Sequence, residues 1–172
     1  MLKTIQLNYQ TWGDKLYYFC SEGQQDLKEK FEWLRIPVPP PFHTYRRLTA
    51  FQDVIMPDGF NIIDYLRVKS EAMYAIQDDI LAIMEKLSSG IALIALQKPP
   101  GRDLAYGGMF TSFDPTFYIS IDKMDGIGKA KIKFVKVKKP KQTEDKIDIY
   151  RRYIECSISH GADMQKLNEG TE

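Results

Sequence analysis

The clearest hydrophobic patterning lies between Asn61 and Gly108, in the stretch NIIDYLRVKSEAMYAIQDDILAIMEKLSSGIALIALQKPPGRDLAYGG. Two short apolar runs, Phe60 to Tyr65 and Ile91 to Leu96, flank a segment in which Ala72, Ile76, Ile80, Ile83 and Leu87 recur at spacings of three and four. The runs predict buried strands and the spacing predicts an amphipathic helix. Gly90 stands where a helix stop is expected. Strand, crossover helix and strand make a right-handed βαβ unit with parallel strands. The first run carries the acid Asp64 near its end, and the second is followed by Gln97 and Lys98. Polar residues at the carboxyl ends of such strands occupy the place where open α/β sheets bind ligands.

Upstream, Leu2, Ile5 and Tyr9 give residues 1–11 one apolar side, which reads as the end of a helix before a turn at Trp12-Gly13-Asp14. The aromatic run Lys15 to Cys20 predicts a strand. Gln25 to Leu34 predicts a helix with Leu27, Phe31 and Leu34 inward. Ile36 to Arg47 is rich in proline, which excludes helix and central strand and predicts an extended surface connection. Pro39-Pro40-Pro41 reads as a rigid linker or as an SH3-type ligand. A short helix over Leu48 to Ile55 and a turn at Pro57-Asp58-Gly59 follow. Downstream, Thr116 to Asp122 and Ala130 to Val137 alternate in character and predict a hairpin through residues 125–128. Asp148 to Ile158 predicts one more strand, and residues 161–172 a polar tail that frays. The expected architecture is α/β, a mostly parallel sheet flanked by helices with an antiparallel hairpin toward the C-terminus. One core is expected over residues 1–160.

Composition changes this picture little. With 44% hydrophobic and 12% aromatic residues, the 172-residue chain has the makings of a real core. A formal net charge of +1 removes any global argument for nucleic acid, so a basic surface has to be local. Lys131, Lys133, Lys136, Lys138, Lys139 and Lys141 form the one such run. Cys20 and Cys156 lack metal-ligand spacing, and His43 and His160 do not join them, which predicts reduced thiols and a cytoplasmic location. No signal peptide and no internal repeat is evident, and the run Ile91 to Leu96 is too short to cross a bilayer, so no membrane partner is expected.

In this order, several short motifs resemble those of the RecA-like P-loop ATPases, over about residues 15–140. The nearest branch is that of DnaB-type replicative helicases and phage or plasmid RepA-like ATPases. IIDYL resembles the Walker B strand, ALQK the sensor strand, and RDLAYGG the following loop, which has the form SDLRESG in DnaB-type helicases. YFCSEG resembles the strand ending in S-x-E, whose glutamate activates the attacking water. The resemblance implies ATP and Mg²⁺ as cofactors, with Asp64 at the metal because a carboxylate holds the water shell of a hard cation. It makes Glu22 the catalytic base and Gln97 the residue that reads the γ-phosphate or relays its loss. Lys98 and Arg102 would lie in a mobile loop that touches single-stranded DNA, their charge partly offset by Asp103. Lys136 and Lys138 match the spacing of a K-x-R pair that reaches a neighbouring subunit's nucleotide in a ring; Lys138 departs from the arginine and loses its bidentate grip. Each residue also has a plain structural use. Glu22 suits a helix start, Asp64 can cap the next segment, Gln97 can be a polar exit from a strand, and the lysines can protect an edge strand.

The phosphate-cradling motif G-x-x-x-x-G-K-[ST] does not occur in the chain. In the family it lies one strand and one helix before KLYYFC, so the chain is expected to begin inside that helix. Two outcomes follow for the sheet. The strand GIALIAL is left beside a gap, as in the downstream piece of a longer gene product, or the flanking strands close the gap by pairing. The expected function is the C-terminal part of a RecA/DnaB-like ATPase that cannot hydrolyse ATP as an isolated chain. The alternative is a non-catalytic binding module docking on a full-length ATPase ring. An unrelated α/β enzyme with an acid-rich cleft has no positive support in the sequence.

Overall fold

The computed structural model describes residues 1–21, 23–67, 74–139, 146–159 and 163–171. They fall into two compact units, Met1–Gln97 and Lys98–Glu172. The boundary falls in the polar stretch that follows IALIAL, which reads as a loop.

The first unit contains α1 (Leu2–Trp12), β1 (Leu16–Cys20), α2 (Gln24–Trp33), β2 (His43–Arg46), β3 (Phe60–Leu66), α3 (Ala75–Lys86) and β4 (Ile91–Leu96). Short 3-10 turns occupy Gly13–Lys15 and Phe51–Asp53, the latter within the short helix expected over Leu48 to Ile55. All four strands are parallel, in the order β2-β1-β3-β4. The central strands are apolar on both sides, as a parallel sheet covered on both faces requires. Phe19, Ile63 and Leu66 pack with Phe51, Ile55 and the α3 residues Ile76, Ile80 and Ile83. Ala72, placed on this helix by its spacing, lies outside the described residues. The opposite sheet face meets α1, where Trp12 lies against Phe60 with ring centroids 5.5 Å apart. Leu27, Phe31 and Leu34 of the α2 region are buried, as their spacing predicts. The proline-rich connection ends in β2, a four-residue edge strand with every residue exposed. That is where missing N–H donors cost least.

Gly90 does not stop α3. The helix ends at Lys86, and Leu87 is already extended. Gly90 is needed for a close approach instead, since a Cβ there would lie 2.5 Å from the Gly59 carbonyl oxygen and 2.6 Å from that of Pro57. The Pro57–Gly59 turn is tied to the start of β4 by Gly90 N–H donating to Pro57 O (2.8 Å) and Ile91 N–H to Gly59 O (2.9 Å). Asn61, fully buried, braces the same corner. Its Oδ1 accepts from Met56 N (2.9 Å), and its Nδ2 donates to Met56 O (2.9 Å) and Gly59 O (3.1 Å).

β4 is the outer strand, half-buried along most of its length with Ile91 50% exposed. Among the described residues no strand pairs with its far side. Closure by pairing with the strand that follows is not adopted among the described residues.

The second unit is an antiparallel sheet, β5 (Phe117–Lys123), β6 (Lys129–Val137), β7 (Arg152–Ser159) and β8 (Asp163–Thr171), in that order, with α4 (Lys146–Arg151) before β7 and a 3-10 turn at Gly108–Thr111. The expected hairpin is β5–β6. Two expectations fail. Residues 148–151 belong to α4, not to the strand, and Ile149 is buried while the Tyr150 hydroxyl reaches the Val137 backbone. The expected polar tail is largely β8, paired with β7 from Asp163 opposite Ser159 to Thr171 opposite Arg152. An outermost strand held by backbone pairing can be almost wholly polar, so its side chains carry no strand pattern. In β6 a bulge leaves Val135 without a partner, Tyr118 facing Lys136 and Ile119 facing Phe134. The extra residue returns Lys136 to the face of Lys131 and Lys133.

Candidate functional site

Because β1, β3 and β4 are parallel, their carboxyl ends share one edge of the sheet. Cys20, the last residue of β1, is opposite Asp64, and Leu66 is opposite Leu96, the last residue of β4. Asp64 is half-buried there, and Gln97, next after β4, is exposed at the same edge. Glu22 lies outside the described residues; its neighbours are the end of β1 and Gly23, the extended residue that begins α2. The Asp64–Tyr65 peptide is cis.

Asp64 has a partner that the sequence reading missed. The hydroxyl of Tyr18, a fully buried residue of β1, donates to Asp64 Oδ2 at 2.9 Å. Tyr18 is opposite Ile62, so it lies on the same sheet face as Asp64, one diagonal step away. A strand tyrosine two residues before the register partner of an acid was the available signal. The hydrogen bond turns one carboxylate oxygen toward the sheet and leaves Oδ1 without a partner among the described residues.

The start of α1 comes to the same place. Trp12, at its C-terminal end, packs on Phe60 at the beginning of β3. At the other end, burial lowers the pKa of the Met1 amino group, and the nearby charge of Asp64 opposes that shift. α1 therefore runs antiparallel to β3 on the Asp64 face. Eleven residues of helix span about 16 Å, and Phe60 to Asp64 spans about 13 Å of strand, so the two ends match. The first turn of α1 contains no acid and no capping side chain. Its peptide dipoles put partial positive charge beside the carboxylate. Lys3 and Thr4 lie in this turn; a lysine–threonine pair without the preceding glycines gave the sequence reading nothing to seize.

Among the described residues no cluster of three or more His, Cys, Asp or Glu can hold a metal. A cation at Asp64 would thus take its remaining ligands from water and from the oxygens of a bound phosphate, the habit of Mg²⁺. A helix start beside a lone carboxylate suits that pair of ligands, a polyphosphate and its cation.

The remaining candidates belong to the second unit. Lys98 Nζ donates to the Arg102 carbonyl at 2.7 Å and is ion-paired with Asp122. The Arg102 residue is exposed. The loop read as mobile is fastened at further points. Ala105 N–H donates to the Tyr118 hydroxyl (2.9 Å), Thr111 Oγ1 shares a hydrogen bond with that hydroxyl (3.2 Å), and Lys133 pairs with Asp103 (3.9 Å). Lys136 donates to the carbonyls of Ser112 and Phe113, and Lys138 to that of Asp114 at 2.7 Å. Burial, then the charge of Lys138, pushes the Lys136 pKa down, opposed by Asp114.

No family model and no curated protein matches the chain. Among solved structures, the crystal structure of the RadB recombinase is similar over 97% of this chain and 83% of that one, with a TM-score of 0.55 and 12% sequence identity. At that identity the likeness is one of fold. The chain has an α/β architecture with a parallel sheet flanked by helices and an added antiparallel sheet, matching a RecA-like neighbour. No described helix is long and apolar enough to cross a membrane.

Proposed function

We propose that the chain is the downstream portion of a RecA-like ATPase of the DnaB or RepA type, a cytoplasmic ring-former acting in DNA replication or recombination. The observation that carries this reading is α1, lying antiparallel to β3 with its first turn beside Asp64. That is where a phosphate loop delivers its last residues. Lys3 and Thr4 correspond to the final two positions of G-x-x-x-x-G-K-[ST], with Leu2 in place of the second glycine. In that role Lys3 reaches the β/γ-phosphates and Thr4 shares the cation with Asp64.

Mg-ATP, when bound, supplies the phosphoryl group and the cation that neutralises it. Asp64, held by Tyr18, positions the cation's water shell. Glu22 orients the attacking water and Gln97 senses the γ-phosphate. Lys136 and Lys138 act on the nucleotide of a neighbouring subunit after leaving the carbonyls of residues 112–114. Lys98 and Arg102 contact single-stranded DNA. Converging backbone N–H groups of a phosphate loop are absent from the 172 residues, so the isolated chain is expected not to hydrolyse ATP.

The test is a calorimetric Mg-ATP titration of this chain and of the product of the reading frame extended upstream. Binding by the longer product only, abolished by Asp64→Ala or Lys3→Ala, is the expected result. Micromolar binding by the 172-residue chain alone would contradict the role given to the loop. An upstream frame without a glycine-rich loop would point to a non-catalytic module that docks on a complete ATPase ring.

A further inference from the structure

The centre of the parallel sheet buries a phenol. Among the described residues, Tyr18 is the bulkiest side chain with no exposure. Its β1 neighbours Leu16, Phe19 and Cys20 are apolar and buried. A phenylalanine would fill the same space, and a buried hydroxyl is costly unless it is hydrogen-bonded. The hydroxyl is therefore the feature that needs a reason. It donates to Asp64 Oδ2 at 2.9 Å. Tyr18 is opposite Ile62, so the phenol leans along the strand over the two-residue rise of about 6.6 Å that separates Ile62 from Asp64.

The contact fixes more than the place of the carboxylate. With Oδ2 held from the sheet, Oδ1 is the oxygen left for a ligand. A carboxylate can hold a cation with one oxygen or chelate it with both. Ca²⁺ takes about 6–8 oxygens at about 2.3–2.6 Å and accepts a chelating carboxylate. Mg²⁺ demands a near-octahedral shell at about 2.0–2.1 Å and keeps several of its waters. A single oxygen suits Mg²⁺ and denies Ca²⁺ its chelating mode. Among the described residues no group of three or more His, Cys, Asp or Glu offers the further oxygens that Ca²⁺ takes.

We propose that Tyr18 is a positioning residue that holds Asp64 as a one-oxygen ligand and thereby sets the preference of the site for Mg²⁺ over Ca²⁺. The proposal rests on the cation site given to Asp64 above and adds the residue that selects the ion. Tyr18 acts through Asp64 and touches neither cation nor nucleotide. A hydrogen bond that merely satisfied two polar groups would affect stability and leave the ion preference alone.

The experiment is a paramagnetic NMR titration of the full chain with Mn²⁺ and tripolyphosphate at millimolar concentration. Mn²⁺ should broaden the amide signals around position 64, and Asp64→Asn should abolish that broadening. Mg²⁺ should displace Mn²⁺ at a lower concentration than Ca²⁺ does. In Tyr18→Phe the ratio of the two displacing concentrations should move toward Ca²⁺ by about tenfold or more, the scale on which groups that orient a metal ligand act. The amide spectrum and urea unfolding of the variant report any loss of fold. A second measurement needs no substitution and decides the matter if the variant does not fold. The Tyr18 hydroxyl proton, protected by burial, should stay hydrogen-bonded when Mg²⁺ and tripolyphosphate are added, because Oδ2 is not used for the cation. Its release on adding Mg²⁺ would overturn the proposal. So would a folded Tyr18→Phe with an unchanged ratio of Mg²⁺ to Ca²⁺, which would leave the cation site itself intact. No Asp64-dependent broadening in the unaltered chain would remove the cation site, and the proposal with it.

Discussion

In the first unit the sheet is parallel and covered on both faces, and side-chain polarity is pushed to strand ends, helix surfaces and the outer edge. In the second unit the sheet is antiparallel and lysines run along one face of β6 within hydrogen-bonding reach of loop carbonyls and acids. A polar residue therefore means different things in the two places. Inside the first unit it is costly, so each one has an identifiable reason. Asn61 braces a corner, and Asp64 stands at the carboxyl edge beside a helix start. In the second unit polar residues follow from strand alternation, and their charge is answered locally. Lys98, Lys136 and Lys138, the candidate ligand-binding cations of this unit, each have a partner within it in this structure.

The contrast is broken most directly in the core. Ile63→Ala should cost about 2–5 kcal/mol, as a cavity between β3 and α3. Ile121→Ala, at a position 44% exposed on β5, should change stability by less than about 0.5 kcal/mol. Urea unfolding of both variants measures the difference, and equal losses would remove it. Asn61→Leu should cost about 1–3 kcal/mol by removing, at a fully buried position, the acceptor of Met56 N–H and the donor to the Met56 and Gly59 carbonyls. Hydrogen exchange at Met56 would rise in the same variant; an unaltered rate would show that the corner holds without Asn61. Lys98→Met should cost about 1–2 kcal/mol, because its side chain and that of Asp122 are only 16% and 27% exposed, between surface and buried pairs. If denaturation shows no loss, the cation is held for a ligand and not for the loop.

The smallest effect concerns pH. The Ser89 side chain, then its backbone N–H, hydrogen-bonds Asp58 and holds its carboxyl below the ordinary value of 3.8. A lowered folded-state pKa means that the stabilisation is complete above 3.8 and disappears as pH falls through the lowered value. Ser89→Ala should move the Asp58 titration, followed by carboxyl NMR, up toward 3.8.

Much of the first unit was legible in the sequence because burial imposes periodicity. The spacing of Ile76, Ile80 and Ile83 marked α3, and FNIID and IALIAL marked strands that must be parallel. The βαβ order also placed Asp64 and Gln97 at one edge before any coordinates. The second unit was less legible. β8 lies at the outside of its sheet, where backbone pairing suffices and MQKLNEGT needs no apolar alternation. Residues 148–151 alternate like a strand, yet the contacts of Ile149 and Tyr150 take them into α4. Local preference is weak there and packing decides.

What the chain determines by itself is the set of elements and the chemistry available at their ends, since periodicity, prolines and strand-terminal polar groups act over a few residues. Only the tertiary structure decided which groups meet. The Tyr18–Asp64 hydrogen bond spans 46 residues, the start of α1 reaches Asp64 from the far end of the unit, and Tyr17 of β1 stacks on His43 of β2 only because their strands pair. Such contacts depend on register and strand order, which hydrophobic patterning within one element does not encode.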